Sequence, residues 1–151
     1  MTASPGAGPA IAALHIGAEP ADIARATGWL GDLAEAGGWP QDTRFALELS
    51  LEEALANVVM HAFKAVPQVP RVCVALYRGE AGRIVLTITD NGIPFDPTSL
   101  AEPEVPAGLE AAKIGGHGVQ LMRHFLESLS YARTGDENCL TLIARPVPDP
   151  S

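Results

Sequence analysis

Apolar positions fall into a small number of clear runs along the chain. Ile23, Trp29 (near Ala26), Leu30 and Leu33 repeat at helical spacing from Ala21 onward, and Gly37-Gly38 ends the run. Pro40 suits the first turn of a second helix. The apolar face of that helix runs Leu47, Leu51, Ala54, Leu55, Val58 and Ala62, which predicts one long helix reaching His61, with Pro67 and Pro70 closing the segment. Two strands follow, Val72–Tyr77 and Ile84–Thr89, and the short Gly79–Gly82 connection makes them a hairpin. Ahead of the helices, Ile11–Ile16 reads as an edge strand with His15 on the surface. After residue 114, Val119, Leu121, Met122, Phe125 and Leu126 predict a third helix. Ser128–Arg133 and Cys139–Ala144 then pair as strands across Gly135–Asn138. Trp29 and Trp39 read as packing groups.

The layout is therefore one domain, residues 11–145, between a frayed N-terminus (1–10) and a tail (146–151) that cannot extend a sheet. With 151 residues, 47% of them hydrophobic, the chain has enough apolar material for one well-buried core. A net charge of −8 argues against nucleic acid or an anionic membrane as the main partner and leaves a basic protein surface as a natural one. No apolar run approaches a membrane span of ~20 residues, and no signal peptide is expected. Cys73 and Cys139, far apart in strand-like runs, read as reduced thiols of a cytoplasmic protein.

Three polar motifs interrupt this pattern. Glu53, Asn57 and His61 recur every fourth residue beside the apolar face of the second helix, roughly 6 Å apart along its axis. A carboxylate and an amide at that separation can share a magnesium-bound phosphate between them, although helices also carry such stripes as plain solvated faces. Asp90 sits at the lip of a strand, where Asn91-Gly92-Ile93-Pro94-Phe95-Asp96-Pro97 stops it. Gly115-Gly116-His117-Gly118 precedes the third helix, where glycines and free amide N–H groups favour an anion. Between the last two motifs, Thr98–Ile114 is aperiodic, and a connection that long is usually mobile or functional. No Gly-x-x-x-x-Gly-Lys-Ser/Thr sequence is present, which excludes a P-loop mechanism.

In this order and context, Glu-x-x-x-Asn, Asp-x-Gly-x-Pro-Phe-Asp-Pro and Gly-Gly-x-Gly resemble the N, G1 and G2 boxes of the GHKL ATPase superfamily. The Pro-Phe-Asp-Pro continuation, the His61-Ala62 pair four positions after Asn57 and the Glu-Asn-x-Leu-Thr-Leu stretch look like its small anti-sigma-factor serine/threonine kinases. The resemblance spans about Ile11 to Arg145. It implies an α+β fold of the Bergerat type: a two-layer α/β sandwich whose mixed, mostly antiparallel sheet is covered on one face by about three helices. It also implies ATP and Mg²⁺ as cofactors.

By the same resemblance Asn57 ligands Mg²⁺, and Glu53 acts as general base, with Glu52 as second choice. Asp90 accepts a hydrogen bond from the adenine amino group, and Gly92 lets the backbone pass close to the base. Phe95 packs the loop instead of stacking on adenine, and His61 braces the site. Gly115, Gly116, His117, Gly118 and Val119 form the phosphate end at the helix start. His117 stands where the family more often carries an apolar residue, and residues 98–114 hold only Lys113 as a basic group. Lys64 and Arg123 are candidate helpers beside the plainer roles of helix-end and solvated side chains. His61 and His124 lie within helices and are poor phosphoacceptors.

The implied partners are a STAS-type anti-anti-sigma protein, phosphorylated on serine or threonine, and a sigma factor. A homodimer through the first strand or helix is a further expectation. The competing function is an ATP-binding regulatory module that sequesters a partner without phosphotransfer; retention of Glu53 favours the kinase.

Overall fold

The computed structural model describes residues 9–63, 69–99 and 118–146. Strand β1 (Ala12–Ile16) leads into α1 (Pro20–Gly37) and α2 (Gln41–Asn57), and α2 continues as a π-helical turn, Val58–Ala62. The hairpin β2 (Val72–Arg78) and β3 (Ile84–Asp90) follows, then α3 (Gly118–Phe125), β4 (Leu126–Thr134) and β5 (Glu137–Ala144). The five-stranded sheet has the order β1-β2-β3-β5-β4.

Every pairing in this sheet is antiparallel, so the mostly antiparallel sheet expected has no parallel pair. The order supplies the reason. β4 runs parallel to β3, but β5 folds back between them, so the two parallel strands never share a hydrogen-bond ladder.

Local chemistry sets the helix ends. The Glu19 N–H donates to Asp22 Oδ2 at 3.1 Å at the start of α1, and Pro20 occupies its first turn. Gly38, at φ +62°, ends α1 in the left-handed region, while the Trp39 N–H closes onto Ala34 O at 3.0 Å. The long second helix departs from expectation. It is α-helical only to Asn57, and the next five residues widen into a π turn whose last carbonyl, Ala62 O, accepts the Ile93 N–H at 2.9 Å. His61 is therefore out of the straight stripe that regular α spacing would give it.

Leu30, Leu47, Leu51 and Leu55 from α1 and α2 meet Val74, Leu86, Ile88 and Leu142 of the sheet, all 2% exposed or less. Burying each of these side chains contributes roughly 1.5–3 kcal/mol. In α3, Val119 and Met122 are buried but Leu121 is 38% exposed, because positions two apart do not share a helical face. Leu126, expected in that helix, is instead the first residue of β4. Cys73 and Cys139 both pair with Thr89, on opposite sides of β3. Two strand spacings of about 4.8 Å exceed the ~7 Å limit for a bridge, so the thiols stay apart and free.

Candidate functional site

The π turn, the end of β3 and the β4–β5 hairpin converge on one small cavity. Ala54, Asn57 and Val58 line it from the helix, Asp90 and Ile88 from β3, Phe95 and Pro97 from the following turn, and Tyr131, Asn138 and Leu140 from the hairpin. Its volume is about 20 Å³, roughly the room one water needs. A much larger cavity of about 590 Å³ lies elsewhere, between Phe45, Phe125 and Pro146, and includes none of the polar motif residues.

Asp90 is the buried anchor of the site, 3% exposed. Its Oδ1 accepts the Gly92 N–H at 2.9 Å, an Asx-type turn, and the Asn138 Nδ2–H at 2.9 Å. Burial pushes its carboxyl above the ordinary range. The bonds from Asn138 and Gly92 and the Arg133 charge pull the other way without cancelling that effect. Gly92 owes its identity to the helix: a Cβ there would collide with the Ala62 carbonyl and lie 2.8 Å from Ala62 Cβ. The side of Gly92 on which a Cβ would stand is filled by the backbone of the π turn.

The Phe95 ring stacks on that of His61 at a centroid distance of 4.8 Å and 19° between planes. Asn57, the last α-helical residue of α2, is half-buried and lines the cavity within reach of the Asp90 wall. Glu53, one turn earlier, is also half-buried. Its carboxyl is raised by burial first and by the neighbouring Glu52 charge second. The Glu53 carboxylate rests against Gly118, the first residue of α3, so closely that a Cβ on Gly118 would collide with Oε2. A side chain at residue 118 would fit only if the Glu53 carboxylate moved aside.

Of the remaining candidates, Val119 has its side chain in the core, which leaves only its backbone to a ligand. Arg123 donates from Nη2 to Thr98 O at 2.7 Å, tying α3 to the short helical turn Pro97–Ser99. Gly115, Gly116, His117, Lys64 and residues 100–114 lie outside the described residues. Glu52 is exposed, as its rotation away from Glu53 implies.

Three site residues went unassigned in the sequence: Asn138, Arg133 and Tyr131. Asn138 carried a signal. It shares a strand face with Leu140, Leu142 and Ala144, so a polar amide stands in a core-facing row. Buried amides in such rows are bonded, and this one is bonded to Asp90. Among the described residues no cluster of three or more His, Cys, Asp or Glu could hold a metal ion. An ion here would lean on single protein oxygens such as the Asn57 carbonyl.

An open antiparallel sheet with helices on one face, an acid at a strand end and an amide-and-carboxylate pair one turn apart across from it define a class of nucleotide-binding domain. The chain belongs to the family described as the histidine kinase-like ATPase domain, which matches residues 16–144. It is 40% identical over 121 residues, 80% of this chain and 84% of the relative, to the serine/threonine-protein kinase BtrW of Bordetella bronchiseptica. Two solved structures share the fold. One holds the RsbU and RsbW domains of a Mycobacterium tuberculosis protein (TM-score 0.62, 14% identity, 92% of this chain), and this chain spans only 33% of it. The other is a histidine kinase domain from a blue-light activated histidine kinase of Erythrobacter litoralis (TM-score 0.54, 18% identity, 93% of this chain and 65% of that one).

Proposed function

We propose that the chain is an ATP- and Mg²⁺-dependent protein serine/threonine kinase that also acts as an anti-sigma factor in the cytoplasm, with a STAS-type anti-anti-sigma protein as its phosphoacceptor. The observation that carries this reading is the shared cavity: the Asp90 carboxylate and the Asn57 amide line it together, with Glu53 one turn beyond at the α2–α3 junction. The kinase relative, similar over most of both chains, supports the choice of reaction.

Each residue has a task suited to its chemistry. Among the described residues both hydrogen bonds to Asp90 fall on Oδ1, which leaves Oδ2 for an adenine amino group; guanine offers an acceptor at that position and is disfavoured. Asn57 offers a hard carbonyl oxygen, suited to Mg²⁺ that also keeps phosphate oxygens and water. Bound Mg²⁺-ATP supplies the γ-phosphoryl group. Glu53 takes the proton of the attacking hydroxyl, and its raised carboxyl makes it a better base than an exposed glutamate. The cavity is smaller than a purine, so the base enters as the Phe95 ring rotates aside. Edge strand β1, unpaired on its outer side among the described residues, is the natural seam for a homodimer.

The test is a transfer assay with labelled ATP, Mg²⁺ and a STAS-domain protein, comparing wild type with Glu53→Ala. Transfer by wild type is expected, with a loss of about 10²–10⁴-fold in the variant and ATP still bound. ATP binding without transfer by wild type would instead identify a module that sequesters its partner.

A further inference from the structure

We infer that Asn138 and Arg133, on the β4–β5 hairpin, are positioning residues of the nucleotide site: they fix the Asp90 carboxylate and the Gly92–Phe95 turn in the conformation that receives the base. The inference rests on the reading of Asp90 as the base-binding group.

Asn138 is 4% exposed, and its amide is fully engaged. Nδ2 donates to Asp90 Oδ1 at 2.9 Å and to Ile93 O at 2.7 Å. Oδ1 accepts the Phe95 N–H at 3.2 Å, Arg133 Nη1–H at 3.2 Å and the Tyr131 hydroxyl. An amide has two N–H donors, both used here, and an oxygen whose two lone pairs are shared among three donors, so neither end is left for anything else. Turning the amide over would set Nδ2 against the Phe95 N–H and the Arg133 guanidinium, donor against donor. The network therefore permits one orientation, and in that orientation Asp90 Oδ1 is held by its two donors.

Arg133 completes the frame. Its Nη1 also donates to Gly92 O at 2.8 Å, and its Nε reaches Gly135 O at 3.2 Å. Between them the two side chains bond Asp90, Gly92, Ile93 and Phe95. The backbone of the turn is thereby fixed, and the opening needed to admit a base is left to side-chain rotation. Neither residue needs to touch the ligand, because both act through Asp90 and the turn. A purely structural role would instead join the hairpin to β3 with no consequence for nucleotide affinity beyond lost folded protein.

The experiment measures Mg²⁺-ATP affinity by calorimetry, and KM and kcat for transfer, on the full chain. The variants are Asn138→Ala, Arg133→Met, Tyr131→Phe, Asp90→Asn and the double variant Asp90→Asn/Asn138→Ala. Asn138→Ala is expected to weaken ATP by about tenfold, and Arg133→Met by about threefold, the range for a lost buried hydrogen bond. The loss should fall on KM more than on kcat. In the double variant the Asn138 change should add little, since its effect passes through Asp90. Unchanged or tighter ATP binding by Asn138→Ala, or losses that add in the double variant, overturns the inference. If Asn138→Ala does not fold, Arg133→Met and Tyr131→Phe carry the same comparison from half-exposed side chains. If Asp90→Asn binds ATP like wild type, the base-site reading falls and this inference with it; if only the hairpin variants are silent, the inference alone falls.

Discussion

On the strand side of the site, Asp90 is buried and held by the Gly92 amide and the Asn138 side chain; on the helix side, Glu53 and Asn57 are half-exposed, with no hydrogen bond to their side chains among the described residues. Under the proposed function the difference separates recognition from chemistry. A base has a fixed shape and polar edge, so the wall that reads it can be built at folding, and ordering it then removes that cost from binding. In the proposed function a phosphate, a metal ion and an incoming hydroxyl share the other wall and change partners during transfer. Side chains already saturated with hydrogen bonds could not do that.

Asp90→Asn breaks the strand wall most directly and should have the largest effect. The new Nδ2 would face the adenine amino group, donor against donor, and ATP affinity is expected to fall by about 10–100-fold. Stability should move the other way. The folded carboxyl lies above its ordinary value of 3.8, so stability contributed by its proton is lost as pH rises through the folded value. At neutral pH the ionised, buried group destabilises, and asparagine relieves this. Thermal melts should therefore show the variant above wild type at pH 7, with the gap closing toward pH 3.8. An unchanged ATP affinity would remove Asp90 from the site.

The two close-packed glycines offer the same substitution on each wall. At Gly92 an added methyl meets backbone, the Ala62 carbonyl, and neither the turn nor the π helix can yield without the other. Gly92→Ala is expected to cost about 1–3 kcal/mol of stability, read as a lower midpoint in urea. At Gly118 the methyl meets the far end of the Glu53 side chain, which can swing away. Gly118→Ala should leave the midpoint nearly unchanged while lowering kcat, because the displaced group is the proposed base. Equal stability losses in both variants would mean that the helix wall is as rigid as the strand wall.

These contrasts also explain what could be read along the chain. The elements were legible because each run of apolar residues kept one period; Leu47, Leu51, Leu55 and Leu86, Ile88 are buried where that period put them. Asp90 and Asn57, read along the chain as polar groups at a strand lip and beside an apolar helix face, line one cavity. The π turn was not legible, because α and π spacing differ little over five residues and the widening answers to a distant bond, Ile93 N–H to Ala62 O. The same holds for the role of Gly92, fixed by contact with a residue thirty positions earlier. Arg133 and Tyr131 read as ordinary strand residues; the order β3-β5-β4 brings their side chains to Asn138, which in turn bonds Asp90. Long-range contacts of this kind leave no local pattern.

The smallest expected effect sharpens the helix wall. Glu53 must be ionised to accept a proton, so kcat/KM should fall as pH drops through its folded value, which lies above the ordinary 4.5. Burial is the main cause and survives any change at residue 52. The Glu52 charge is the second cause, and Glu52→Gln removes it while leaving an exposed side chain of the same shape. With less repulsion the ionised form of Glu53 is favoured, so the acid limb of kcat/KM should shift to lower pH while the plateau holds. Added salt should narrow the gap between variant and wild type, since it screens a neighbouring charge but not burial. An acid limb that stays in place would mean that burial alone sets the basicity of Glu53. A plateau that collapses would instead make Glu52, the exposed neighbour, a participant in transfer.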